Sequence, residues 1–290
     1  MIVCADDYGI SPSVSEGIIE LIERKRLSAT SCMVVGPFAD TAMGRLRRLN
    51  PRVDIGLHVV LTSTHPLTAL KQNTGLVDSR GCFHSFSRLL MNAYKRSLEL
   101  DAVSKEIDAQ IEHFTCLMGH LPHYIDGHQH IQQLPIVREA VTKVAGALAK
   151  CGRSIYVRTA GLPTAWLWTK GLRYSRQLAL GNYLIALPGK KLASTLDGAG
   201  IRHNRFLLGF YDYEGGAKFA EVVDLYLTLR PNPRDILFCH PGHIDDELRR
   251  IDPLIDSRLD ILQFLGSSQW EDLANESGIR LNTFSGEPVA

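Results

Sequence analysis

Long apolar segments and paired cysteines are the first features that this sequence lacks. No run approaches the roughly 18 apolar residues of a membrane-spanning helix, and the first residues have no basic segment followed by an apolar core, so we expect neither a membrane span nor export. The six cysteines show no CxxC spacing, and Cys4, Cys32 and Cys239 lie in apolar, strand-like runs. This pattern favours buried free thiols and, with them, a reducing cytoplasm.

The sequence also lacks an excess of charge. Its formal net charge is +1, and the basic residues are scattered apart from small groups such as Arg45, Arg47 and Arg48, so nothing favours a nucleic-acid or anionic-membrane partner. No linker rich in Ser, Gly and Pro, no charge block and no repeat of fixed period divides the 290 residues. We therefore predict one domain over residues 1–290, with an insertion at about 160–204.

What the sequence does contain is an alternation of short apolar runs with longer stretches of helical period, which is typical of repeated βα units. The pattern predicts strands at 2–5, 29–35, 53–60, 123–126, 155–158, 205–210, 235–239 and 279–281, and helices at 12–25, 38–49, 101–118, 134–150, 215–229 and 257–266. Seven or eight such units indicate an α/β fold of the (β/α) barrel type, with an open doubly wound sheet as the alternative.

Two acidic residues end the first of these runs. The apolar segment from Ile2 to Ala5 is followed by Asp6 and Asp7, and Ser11 with Pro12 then provides the start of a helix. The two carboxylates are therefore expected at the carboxyl end of a strand, which is where α/β folds bind ligands.

Histidines lie within or directly after three later apolar runs. His58 interrupts the apolar strand 53–60, where a core histidine is the alternative, and His240 follows the strand 235–239. The segment 123–130 is the densest polar cluster, and its Asp126, His128 and His130 would project in one direction if the backbone were extended there. A histidine-rich surface turn is the alternative for this segment.

The βα pattern brings these residues to one rim of the sheet, and their chemistry indicates a metal site. One carboxylate and two imidazoles suit zinc or another late divalent ion and leave coordination positions open, whereas magnesium prefers oxygen ligands. A second carboxylate can deprotonate the attacking water, and a histidine on the opposite side can protonate a leaving group. Metal-assisted hydrolysis is the reaction class that this set favours.

Four motifs resemble, in order, those of the YdjC-like carbohydrate deacetylase family. They are Ala5-Asp6-Asp7-Tyr8-Gly9, Gly56-Leu57-His58 with Leu61-Thr62, Asp126-Gly127-His128-Gln129-His130 and Cys239-His240-Pro241-Gly242, and the match runs from residue 3 to about 265. The resemblance implies a barrel of the glycoside hydrolase/deacetylase type. It also implies a hydrolase that removes the N-acetyl group from a chitooligosaccharide-type or lipid-linked amino sugar and releases acetate.

The resemblance assigns roles residue by residue. One divalent ion, Mg²⁺ or Zn²⁺, would be held by Asp7, His58 and His128. Asp6 would be the general base and His240 the general acid, and Arg158 would orient the base. The family is usually described with magnesium, whereas the ligand types argue for zinc as strongly.

One position departs from the family pattern, and some questions stay open. Relatives often have a histidine where this chain has Gln132, which alters specificity only if that side chain touches substrate. The alternative functions are a metal-dependent phosphoesterase and a non-catalytic sugar-binding or regulatory protein. A homodimer is possible, and four aromatic residues of the predicted insertion could stack on sugars or pack its own core: Trp166, Trp168, Tyr174 and Tyr183.

Overall fold

A seven-stranded parallel sheet forms the centre of the protein in a computed structural model, which describes residues 1–153, 155–162, 176–211 and 218–289, except for the side chains of 176–185. The strand order is β5-β4-β3-β2-β1-β7-β6. The strands are β1 (Ile2–Tyr8), β2 (Ala29–Cys32), β3 (Asp54–Val59), β4 (Tyr124–Gly127), β5 (Tyr156–Val157), β6 (Leu207–Leu208) and β7 (Ile236–Cys239). Because all neighbours pair in parallel, the carboxyl ends of the strands meet at one rim.

The sheet curls so that its two edge strands approach each other. Val157 of β5 forms a parallel bridge with His203, and its N–H donates to the carbonyl of Arg202 at 3.0 Å. The N–H of Leu207 in β6 donates to the carbonyl of Gly161 at 2.8 Å. The prediction of an α/β fold on a barrel-like parallel sheet is confirmed, with seven strands.

Helices connect and cover the strands. They are α1 (Pro12–Glu23), α2 (Ala39–Leu49), α3 (Phe86–Tyr94), α4 (Leu100–Met118), α5 (Val137–Lys150), α6 (Arg176–Gly198), α7 (Phe219–Leu227), α8 (Asp246–Ile251), α9 (Asp256–Gly266) and α10 (Ser268–Glu276). In the described ranges, no helix combines the length and the apolar character needed to cross a membrane.

The first βα unit follows the sequence signals closely. The strand β1 is buried along its whole length between β2 and β7. Ser11 has extended backbone angles, and its side chain accepts a hydrogen bond from the N–H of Val14, while Pro12 occupies the first helical position. Cys4, Cys32 and Cys239 are buried free thiols, as predicted, and the other three cysteines are also unpaired.

Other predictions need correction. The segment 279–281 is not a strand, although Asn282 next to it donates from its N–H to the carbonyl of Met1 at 3.0 Å. Residues 128–133 form 3₁₀ turns interrupted by left-handed angles at Gln129 and His130, in place of an extended segment. Part of the predicted insertion at about 160–204 forms α6, and the insertion itself stays a prediction. Trp166, Trp168, Tyr174 and the side chain of Tyr183 lie outside what the structure describes.

Close packing of a strand glycine against a tyrosine positions β3 beside β4. A Cβ atom on Gly56 would lie 2.3 Å from Cζ of Tyr124, which is fully buried. The Tyr124 hydroxyl lies 2.9 Å from Oγ of Ser31 and 3.1 Å from Sγ of Cys4. Only glycine leaves the aromatic ring room to lie across β3 and reach these partners.

Gly56→Ala is therefore expected to destabilise the protein by about 2–3 kcal/mol, because the tyrosine ring has to move within a packed core. Urea unfolding of the purified variant measures this change. The matched control is Gly146→Ala in α5, where a Cβ meets no atom within 4 Å, and it should stabilise by about 0.5–1 kcal/mol. Equal stability of the two variants would contradict the packing argument.

Candidate active site

Asp7, His58 and His128 lie together at the carboxyl rim of the sheet. Nε2 of His58 is 3.4 Å and Nδ1 of His128 is 3.1 Å from Oδ1 of Asp7. One donor atom from each residue lies within 4.8 Å of the other two. The three side chains come from the ends of β1 and β3 and from the residue that follows β4, so parallel pairing brings together residues that are far apart in the sequence.

The other carboxylate oxygen of Asp7 binds an arginine that sequence analysis missed. Nη2 of Arg258, in α9, donates to Oδ2 of Asp7 at 2.6 Å, and the same atom contacts the carboxylate of Asp252. Burial alone would raise the pKa of Asp7, but the Arg258 charge and the neighbouring histidines hold it well below its usual range. Arg258 is fully buried, and nothing in the predicted helix 257–266 distinguishes it from a surface arginine.

Asp126 holds the opposite side of His58. Nδ1 of His58 lies 2.6 Å from Oδ1 of Asp126, whose Oδ2 accepts a hydrogen bond from Oγ of Ser31 at 2.5 Å. Burial opposes a charge on His58, yet Asp126 raises its pKa to about 10. A carboxylate behind a ligating histidine fixes the ring and leaves Nε2 free to bind a metal.

The backbone is not extended after His128, so the condition under which Asp126, His128 and His130 would project in one direction is not met. Gln129 and His130 have φ values of 57° each, in the left-handed region, so the chain turns directly after His128. Left-handed backbone in residues other than glycine is strained and clusters at functional sites. Oγ of Thr62 donates to the side-chain carbonyl of Gln129 at 3.2 Å and supports this turn.

Asp6 forms a separate pair with Arg158. Nη1 and Nη2 of Arg158 donate to Oδ1 and Oδ2 of Asp6, each at 2.6 Å. Nε of Arg158 lies 3.0 Å from Oδ2 of Asp126, so one buried guanidinium connects the two carboxylates. Burial would raise the pKa of Asp6, but Arg158 outweighs it and lowers the pKa to about 2.

Two further histidines border this pair. His240 follows β7 and is half-buried, and burial lowers its pKa against the attraction of Asp7 and Asp6. Burial and the Arg158 charge lower the pKa of His130 to about 3, so its ring is neutral. The ring centroids of His130 and Phe210 lie 5.1 Å apart. Nδ1 of His130 has no hydrogen-bond partner among the residues that the structure describes.

Gln132, the departure from the family pattern, does not face the open side of the site. It is fully buried, and its Nε2 donates to the backbone carbonyl of Arg158 at 3.1 Å. The side chain therefore supports the strand end that carries Arg158.

The Asp6–Arg158 pair makes a testable contribution to acid stability. The pKa of Asp6 is about 2 in the folded protein, below its usual 3.8. Its carboxylate therefore stabilises the folded protein fully at pH values above 3.8, and this stabilisation is lost as the pH falls through the folded-state pKa. We expect metal-free protein to lose on the order of 2 kcal/mol through Asp6 between about pH 4 and pH 2. Urea unfolding at a series of pH values measures it. A difference between the native protein and Asp6→Asn that stays constant over this range would contradict the prediction.

Comparison with known proteins places these residues in context. A family model described as YdjC-like protein matches residues 1–276. The chain is 28% identical to a chitooligosaccharide deacetylase of Citrobacter koseri over 98% of this chain and 97% of that protein. It is 26% identical to a carbohydrate deacetylase of Thermoanaerobacter pseudethanolicus over 91% and 93%, and 34% identical to a carbohydrate deacetylase of Xenopus laevis over 50% and 46%.

Solved structures share the fold. A putative cellobiose-phosphate cleavage protein from Enterococcus faecalis superposes with a TM-score of 0.74 at 25% identity, covering 98% of this chain and 97% of that one. A lactam utilization protein from Thermus thermophilus superposes with a TM-score of 0.53 at 12% identity, which is a likeness of fold alone.

Proposed function

This chain belongs to the YdjC-like protein family, and from that membership and its site we propose that it is a metal-dependent carbohydrate deacetylase. It removes the N-acetyl group from an amino sugar, of the chitooligosaccharide type or lipid-linked, and releases acetate. The observation that carries the proposal is the meeting of Asp7, His58 and His128 beside the buried Asp6–Arg158 pair. The names of relatives that match over nearly the whole chain support the substrate class.

The donor set fits a divalent ion. Asp7 offers Oδ1 while Arg258 occupies its other oxygen, and His58 offers Nε2 while Asp126 occupies its other nitrogen. With His128 this gives one carboxylate and two imidazoles, a set that suits zinc and leaves room for substrate, and magnesium is the alternative. When bound, the ion supplies a Lewis acid for the amide carbonyl.

The remaining residues supply proton transfer. Asp6 is ionised across the working pH range because Arg158 binds both of its oxygens, and it accepts the proton of the attacking water. The C–N bond then breaks, and His240 protonates the departing nitrogen to give acetate and a free amine. A half-buried imidazole with a lowered pKa is a stronger acid once protonated, which suits this role.

Acetate release from N-acetylglucosamine oligomers, with and without chelator, tests the proposal. Removal of metal is expected to reduce acetate release at least about 100-fold, and added Zn²⁺ or Mg²⁺ to restore it. Asp7→Asn should neither retain metal nor regain activity. Phosphate release from phosphomonoesters, measured in parallel, should be absent. Acetate release that is insensitive to chelator, or phosphate release in its place, would overturn the proposal.

A further inference from the structure

A second cavity lies at the opposite end of the barrel from the candidate active site. It has a volume of about 720 Å³ and is bordered by Ile2 and Tyr156, which begin β1 and β5, and by Arg202 and Arg234, which precede β6 and β7. We call it the amino-end cavity, because every strand that borders it does so at its amino end. Pockets of this size accommodate small organic ligands.

The charge on the wall of the amino-end cavity is mainly positive. Its two acidic neighbours are already engaged, since Asp235 pairs with Arg205 and Asp197 lies 3.0 Å from Nε2 of His203. The side chains of Arg202 and Arg234 are exposed, and neither has an ion-pair partner in the described part of the chain. Arginine is the side chain best suited to bind phosphate.

A buried hydroxyl at the same cavity lacks a partner. Tyr156 is only 5% exposed, and its hydroxyl oxygen is buried with no hydrogen-bond partner among the described residues. Buried polar atoms are nearly always hydrogen-bonded, so an orphan beside a cavity points to a ligand or bound solvent. The hydroxyl is close enough to Arg234 and Arg202 for their charges to counter the rise that burial causes in its pKa.

The amino-end cavity also has an aromatic surface against which the organic part of a ligand can pack. Phe284, which borders the cavity, packs edge to face against Tyr156 with ring centroids 4.6 Å apart. A bare phosphate would leave most of the 720 Å³ empty, whereas a phosphorylated sugar would fill more of it and place its ring against these aromatic groups.

We propose that the amino-end cavity binds a small sugar phosphate. Its phosphate lies between Arg202 and Arg234 and accepts a hydrogen bond from the Tyr156 hydroxyl. This site is distinct from the candidate active site, and the proposal does not depend on the deacetylase function.

Calorimetric titration of the full chain with glucose 6-phosphate, glucose and inorganic phosphate tests the site. We expect glucose 6-phosphate to bind more tightly than inorganic phosphate, and glucose not to bind. Arg202→Met and Arg234→Met should each weaken binding about tenfold or more. Arg52→Met removes an exposed arginine at another cavity and should leave the affinity unchanged.

Tyr156→Phe separates ligand binding from a structural role. Because the hydroxyl lacks a partner in the free protein, the variant should be at least as stable as the native chain, yet bind glucose 6-phosphate several-fold more weakly. The titration is repeated in Asp7→Asn, which should bind equally well. Absence of binding, equal affinity for inorganic phosphate, unchanged affinity in the arginine variants or loss of binding in Asp7→Asn would each overturn the proposal.

Discussion

Asp6→Asn is expected to reduce the turnover number for acetate release by roughly 10²- to 10⁴-fold while the protein retains its metal. The amide keeps the shape of the carboxylate but cannot accept a proton. Asp6 contacts Arg158, whereas Asp7 contacts the two histidines, so the change leaves the proposed ligands in place. Steady-state kinetics and metal analysis of the same preparation measure the two effects separately.

His240→Ala should reduce turnover over a similar range, again without loss of metal. Asp272→Asn is the matched control, since this exposed aspartate lies on α10, which contributes no residue to the candidate site, and it should leave both quantities unchanged. Loss of metal from Asp6→Asn together with retention in Asp7→Asn would mean that the two aspartates have exchanged roles. Full activity in both Asp6→Asn and His240→Ala would remove them from the reaction.

Arg158→Met is expected to destabilise the fold by about 3–5 kcal/mol, more than Gly56→Ala. The guanidinium is fully buried and faces the carboxylates of Asp6 and Asp126, so its loss leaves Asp6 without its bidentate counter-ion and Asp126 with His58 alone. Urea unfolding at neutral pH measures the change, and circular dichroism establishes whether the variant folds at all.

The control for Arg158→Met is an arginine in an exposed ion pair. Arg45 pairs with Glu16, and both side chains are more than two-fifths exposed, so Arg45→Met should cost no more than about 1 kcal/mol. Arg158→Lys keeps a positive charge and should recover part of the stability that Arg158→Met loses. A loss below about 1 kcal/mol in Arg158→Met would show that the buried carboxylates do not need this partner.

The sequence predicts the rim of the site well because parallel βα units place strand ends together. Asp7, His58 and His128 each stand at or directly after a strand that the apolar pattern identifies, and the structure brings them into contact. Their use as metal ligands stays a prediction until an ion is measured. The same alternation also predicts six of the ten described helices, although its bounds extend beyond those of α1, α5 and α7. Residues 215–217 of the predicted helix 215–229 lie outside what the structure describes.

The partners of these residues could not be predicted from local patterns. Arg258 lies 251 residues from Asp7, and its helix position resembles any exposed arginine until the tertiary fold buries it. Asp126 was identified as a polar residue of the densest cluster, but its contact with His58 depends on the register of β3 against β4. The predicted strand 279–281 was wrong because an apolar pattern of three residues is too short to distinguish a strand from a packed coil.

The central position of β1 has a consequence for how the protein folds during synthesis. One edge of β1 can pair as soon as β2, which begins at Ala29, has been synthesised. The other edge has no partner until β7, which begins at Ile236, has been synthesised. Contacts of such long sequence separation form slowly, and an open strand edge can pair with other chains in the meantime. Arg258 is synthesised later still. A nascent chain therefore contains Asp6 and Asp7 from the start, but the counter-ion of Asp7 is added near the end of synthesis.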